Sequence, residues 1–165
     1  MMTGRWSRRQ LALLGLAAAL LTGCAGSGKP KPAELEPNPG LMGVRQVWST
    51  KIGQVAYPLD VQVSGSQVAM ASGDGTVVML DARSGRELWR ASANTRLTAG
   101  VGSDGKTAAV ATRENQIVAF EAGRELWRQK LPAQVLTAPF VAGGRVFVLA
   151  ADRTVTALDG ASGRR

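Results

Sequence analysis

The chain has 165 residues, 45% of them hydrophobic, and a formal net charge of +8, with one cysteine and no histidine. The missing histidine removes the commonest general base and the commonest metal ligand, and a lone cysteine leaves no dithiol redox chemistry. The arginines are scattered at turns and strand ends instead of forming one stripe, so nucleic-acid binding has little support.

In chain order, an export signal comes first. Arg5, Arg8 and Arg9 precede an uninterrupted run from Leu11 to Leu21. A basic start and about a dozen apolar residues make a signal peptide over 1–23, short of the ~20 residues a spanning helix needs. Its loss lowers the net charge to about +5 by count. Leu21-Thr22-Gly23-Cys24 resembles a bacterial lipobox, in which cleavage between Gly23 and Cys24 leaves a lipidated cysteine at the mature N-terminus. A buried thiol ending an apolar run is the blander alternative, but it does not need the small residue before it. In lipoproteins of this kind an aspartate after the cysteine favours inner-membrane retention. Ala25 stands there, which points to the periplasmic face of the outer membrane. Ser7-Arg8-Arg9-Gln10-Leu11 also resembles a twin-arginine signal, although an ordinary basic start on a general secretory signal accounts for it.

Residues 24–42, with Gly, Ser, Lys and Pro and almost no apolar run, read as the lipidated cysteine and a flexible tether. Cys24 and Val44 are 20 positions apart, and such a chain has a typical end-to-end distance of roughly 25 Å. That holds a folded body clear of the lipid headgroups.

The folded part, 43–165, is built on a repeated cassette. Val77-Val78-Met79-Leu80-Asp81-Ala82-Arg83-Ser84-Gly85-Arg86-Glu87-Leu88-Trp89 joins an apolar strand, a carboxylate, a Ser-Gly turn and a strand ending in tryptophan. Ile117 to Trp127 repeats it with a turn two residues shorter, and Thr154 to Arg164 repeats it again. Trp48 marks a lone last strand over 46–50. The tryptophans at 48, 89 and 127 are 41 and 38 positions apart, and Asp159 follows Glu121 by 38. A period near forty with several short strands signals a propeller or solenoid.

The spacing predicts three all-β blades, about 57–90, 97–128 and 135–165. Their strands fall near 57–63, 67–72, 76–81 and 86–90, then 97–102, 107–112, 116–121 and 124–128, then 135–141, 145–150 and 154–159. Val77-Val78-Met79-Leu80, Ile117-Val118-Ala119-Phe120 and Val146-Phe147-Val148-Leu149 are apolar on both faces, as in blades stacked around a ring. A β-sandwich would leave the period unexplained.

Several residues tempt a chemical reading. Gly100 to Thr107 satisfies the G-x-x-x-x-G-K-[ST] pattern of a phosphate-binding loop. That chemistry needs a helix directly after the loop, and Ala108 to Thr112 align with a strand of the neighbouring repeats, so a hairpin turn is expected. Asp81, Glu121 and Asp159 could pass for an acidic or metal site. Their once-per-repeat place after the third strand fits carboxylates that accept N–H bonds across the turn. Trp48, Trp89 and Trp127 could line a ligand cage, but their spacing fits one ring packed between successive blades. Gly85 and Gly163 are the matching turn glycines.

The cassette Leu80 to Trp89 resembles the repeat of the PQQ-like β-propellers. With the lipobox, the tether, Val47-Trp48-Ser49-Thr50 and Ala99-Gly100-Val101-Gly102-Ser103-Asp104-Gly105, the chain is similar to the BamB family of outer-membrane assembly factors. That resemblance implies an eight-bladed, non-enzymatic lipoprotein that binds the barrel insertase BamA and assists insertion of outer-membrane β-barrels, without a cofactor. Unfolded outer membrane proteins are a further partner it implies. In the family, the loops contacting BamA lie beyond the third blade's tryptophan, so no residue here receives those roles. About three repeats of eight are present, and the chain is expected to be an N-terminal portion. The rival from another class is a periplasmic quinoprotein dehydrogenase with PQQ and calcium, which would need an active-site aspartate outside the repeat register. A lipoprotein of the same repeat with another role is the nearer alternative. An arc of three blades is expected to leave both end faces bare and Trp48 mobile or packed non-natively.

Overall fold

Glycine-bearing turns reverse the chain every few residues, so consecutive strands pair as antiparallel hairpins. The computed structural model describes residues 32–34 and 43–165. The expected signal peptide, 1–23 with Gly23 at its end, lies outside them, as do Cys24 and most of the tether. The first sheet is β1 (Gln62–Ser64), β2 (Gln67–Ala71), β3 (Thr76–Asp81) and β4 (Glu87–Ser92) in that order. The second is β5 (Leu97–Ser103), β6 (Thr107–Thr112), β7 (Gln116–Glu121) and β8 (Arg124–Lys130). The third holds β9 (Phe140–Ala142), β10 (Arg145–Leu149) and β11 (Val155–Asp159). No helix occurs among the described residues. The chain folds as an all-β propeller arc of three blades, incomplete as a ring.

Alternation along each strand gives every sheet two apolar faces. Ala69, Ala71, Val77 and Met79 on the first sheet pack against Val101, Ala108, Val110, Val118 and Phe120 on the second. Ala109, Ala111 and Ile117 on the second sheet's other face pack against Val141, Val146, Val148 and Leu158 on the third. Met79, Ile117 and Phe120 are almost wholly buried, and each such side chain is worth about 1.5–3 kcal/mol as an upper bound.

The sheets approach closest where side chains vanish. A Cβ on Gly100 would lie 2.6 Å from the Cβ of Asp60 in the segment before β1. One on Gly102 would collide with the carbonyl of Pro139, just before β9. The small residues of β5 therefore set the spacing of both neighbouring sheets.

Three expectations need correction. Residues 46–50 are not a strand, because no neighbouring strand among the described residues supplies a hydrogen-bonding ladder. The inner strands of the first and third sheets are shorter than predicted: 57–63 shrinks to β1, and 135–141 to β9 with an isolated bridge from Val135 to Ala150. Pro58 and Pro139 lie in the lost stretches and have no N–H to donate. The end faces also differ from expectation. Val68, Met70, Val78 and Leu80 on the first sheet's outward face are buried, with Trp48 and Ile52 packed on them. The third sheet's outward face is open: Phe140 and Val155 are each 65% exposed, and the Phe140 and Phe147 rings lie 6.2 Å apart.

The contact at Gly102 yields a prediction. Gly102→Ala should destabilise the fold by ~1–3 kcal/mol, since the backbone of Pro139 must move. Gly65→Ala, in a turn with φ +58° and open space around it, should cost only the local strain of ~1–2 kcal/mol. Urea unfolding of both variants compares them, and equal melting of Gly102→Ala and wild type would show that the sheets do not meet there.

Candidate functional site

The once-per-repeat residues come together in pairs drawn from successive repeats. Trp127, on β8, donates its indole N–H to the Gly160 carbonyl at 2.9 Å in the turn after β11. Its ring covers Gly163, where a Cβ would lie 2.7 Å from the indole. Trp48 makes the same contact two repeats earlier, donating to the Ala82 carbonyl at 2.9 Å and covering Gly85, where a Cβ would lie 2.6 Å away. Gly85 and Gly163 have φ of +69° and +71°, so glycine is required there both for its backbone and for the ring above it. Trp48 is thus seated like Trp127, which corrects the expectation of non-native packing.

The middle pair is looser. Ala122 and Gly123 form a two-residue turn with φ of +48° and +80°, and a Cβ on Gly123 would sit 3.3 Å from the Cβ of Trp89. With two residues fewer, this turn has no counterpart of the Ala82 and Gly160 carbonyl contacts. Bulges aim the strand-borne rings. The register shifts between Met79 and Leu80 and between Ala119 and Phe120, so Trp89 opposes Met79 and Trp127 opposes Ala119. Leu88 and Leu126 are the extra residues, 41% and 37% exposed.

The carboxylates serve their own turns. Asp81 accepts from the Ser84 hydroxyl and N–H at 2.6 and 2.8 Å, and Asp159 from the Ser162 hydroxyl and N–H at 2.7 and 2.9 Å. These serine bonds, the hydroxyl first, hold both carboxyls below the ordinary 3.8. Glu121 has no serine in its shorter turn and only approaches Lys106 at 3.9 Å. No group of three or more acidic, histidine or cysteine side chains among the described residues is placed to hold a metal. Gly100 to Thr107 runs from β5 through a hairpin turn into β6, where the Asp104 carboxylate accepts the N–H groups of Lys106 and Thr107 at 3.0 and 2.8 Å. The donors a phosphate would need are spent within the turn.

A groove lies at the other end of the sheets, where the turns after β2, β6 and β10 meet the segments leading into each sheet. The N–H groups of Gly73, Arg113 and Ala151 donate to the carbonyls of Gln54, Arg96 and Gln134 at 2.8, 3.0 and 2.7 Å. These three bonds put Gln54, Arg96 and Gln134 at equivalent positions. Three adjoining depressions of about 430, 350 and 220 Å³ share Ala56, Leu97 and Arg113, then Tyr57, Thr98 and Leu136. The Tyr57 hydroxyl donates to the Ala71 carbonyl at 3.1 Å, and burial, then Asp74 and Asp60, push it up to about 12. Sequence reading singled out none of these loop residues, because their equivalence shows only in the backbone bonds.

The family model described as outer membrane protein assembly factor BamB matches residues 73–165, more than half of the chain. The chain belongs to the BamB family. It is 36% identical to the outer membrane protein assembly factor BamB of Bordetella pertussis, covering 98% of this chain and 43% of that protein. The crystal structure of BamB from Moraxella catarrhalis superposes with a TM-score of 0.59 at 25% identity, over 70% of this chain and 36% of that one. The chain thus spans less than half the length of these BamB relatives. A europium-containing methanol dehydrogenase is also similar, with a TM-score of 0.58 at 22% identity over 73% of this chain and 26% of that one. At that identity the likeness is one of fold.

The turn carboxylates predict a pH dependence. Their folded pKa is lowered, so the stabilisation is complete above the ordinary 3.8 and is lost as pH falls through the folded value. Asp81→Asn with Asp159→Asn should lower the urea midpoint at neutral pH and flatten its decline below about pH 4. A parallel decline in wild type and variant would remove these residues from the acid response.

Proposed function

We propose that the chain works as a non-enzymatic lipoprotein scaffold in the assembly of outer-membrane β-barrel proteins. It would be held at the periplasmic face of the outer membrane through lipid on Cys24 and would associate with BamA. BamB family membership carries this reading. The lipobox Leu21-Thr22-Gly23-Cys24 supports the anchor, and residues 24–42 would serve as its tether. The repeated residues support a structural role: Trp48, Trp89 and Trp127 pack on neighbouring turns, and Asp81 and Asp159 close their own. Unfolded outer membrane proteins are the clients this reading implies.

Metabolic labelling with an alkyne palmitate analogue, followed by membrane fractionation, tests the anchor. Wild type should carry label in the outer-membrane fraction, and Cys24→Ser should lose both label and membrane association. Affinity purification of the wild-type chain after crosslinking should recover BamA. Label retained in Cys24→Ser would overturn the anchor, and a BamA yield no higher than an unrelated lipoprotein gives would overturn the association.

A further inference from the structure

The groove lined by Gln54, Asp74, Arg96, Arg113 and Gln134 has spare donors and occupied acceptors. Asp74 accepts from the Ser72 hydroxyl and the Thr76 N–H at 2.6 and 3.0 Å. Glu114 takes the Thr95 hydroxyl at 2.7 Å, and Asp152 the Thr154 N–H at 3.0 Å. The carboxylates at this end are therefore committed to their own loops. The ion pairs among the described residues are Arg90 with Glu87, Lys106 with Glu121 and Arg128 with Glu125. Arg96 and Arg113 have no carboxylate partner among the described residues, and they face the same 430 Å³ depression.

The groove also has a direction. From Arg96 and Arg113 it passes over Leu97 and Thr98 to Leu136, Ala138 and Pro58, where Asp60 lines the inner end. Two arginines against the one carboxylate of Asp74 leave the outer end net positive, so an anion is favoured there and disfavoured beside Asp60. Gln54 lines the arginine end and Gln134 the middle depression, at equivalent positions one sheet to either side of Arg96. Carboxamides offer both a donor and acceptors, which suits the alternating N–H and C=O groups of an extended chain. An anionic membrane surface fits worse, because it would also meet Glu114 and Asp152 in the turns outside the groove, whereas a peptide in the groove meets Asp74 alone beside the arginines.

We propose that this groove binds an extended peptide whose acidic residue pairs with Arg96 and Arg113, with neutral apolar residues following toward Leu136. The inference deepens the scaffold reading by naming a partner's chemistry. An in vitro titration can fail without touching the anchor or BamA association, so the two readings fail separately.

The test is fluorescence anisotropy of a labelled peptide, two aspartates followed by alternating valine and threonine, with the full chain in detergent micelles. Arg96→Gln with Arg113→Gln should weaken binding about tenfold, as two partly exposed charge-assisted contacts are lost. Replacing the aspartates of the peptide by asparagine should do the same. Asp60→Asn should tighten binding. Arg83→Gln with Arg86→Gln, in the turn between β3 and β4 at the opposite end, should leave it unchanged. Thermal melts of each variant matching wild type would tie the changes to the groove. Equal weakening by the two arginine pairs would reduce the effect to net charge and overturn the proposal. So would the absence of saturable binding, or arginine-dependent capture by phosphatidylglycerol vesicles without peptide binding.

Discussion

An indole resting on a bare glycine is the contact on which the stacking of these sheets depends. Each sheet is short, and a four-stranded sheet with two apolar faces is unstable until both are covered. The inter-sheet cores supply area, through Met79, Ile117, Phe120 and their alanine and valine neighbours. The tryptophan seats supply direction. Trp127 on Gly163, with its N–H on the Gly160 carbonyl, ties the outer strand of the second sheet to the turn of the third. Trp48 on Gly85, bonded to the Ala82 carbonyl, ties a segment outside any sheet to the first in the same way. Near the inner strands, Gly100 and Gly102 let neighbouring backbone and side chains approach. Between the second and third sheets, register is thus fixed at both ends of the interface.

The Trp48 seat changes how an open arc is understood. An arc of three blades is expected to leave the first sheet's outward face bare, yet Val68, Met70, Val78 and Leu80 are buried. Trp48 and Ile52 pack on this cluster, and Gly73 donates its N–H to the Gln54 carbonyl of the same segment at 2.8 Å. A segment without strand pairing can do this because the contact belongs to one ring and one carbonyl. The open face is the third sheet's, where Phe140, Leu149 and Val155 reach solvent.

Much of the fold was legible because the repeat encodes it three times. Apolar runs such as Val77 to Leu80 and turn glycines such as Gly85 recur at one period, so the second and third strands of each sheet agreed closely with their predicted limits. The inner strands were misjudged because Pro58 and Pro139 remove donors inside otherwise apolar stretches. The bulges at Leu88 and Leu126 have no sequence signature, since an extra residue in a strand leaves no compositional mark. Of the repeated residues, the aspartates were readable from the serine three positions on, whereas Glu121 looked equivalent and is not. Its turn of Ala122 and Gly123 has no serine to bind. The groove was invisible for a different reason. Gln54, Arg96 and Gln134 share no sequence pattern and become equivalent only through backbone bonds to the next turn.

A double-mutant cycle on Trp127 and Gly163 addresses the seat most directly. Trp127→Ala removes the ring, Gly163→Ala pushes a methyl into it, and the pair does both. If the ring and the glycine form one contact, the methyl costs much less once the indole is gone, and urea unfolding gives a coupling energy of ~1–3 kcal/mol. Additive losses, within ~0.5 kcal/mol, would mean that the turn conformation alone requires Gly163 and that the tryptophan seat does not set the sheets' register.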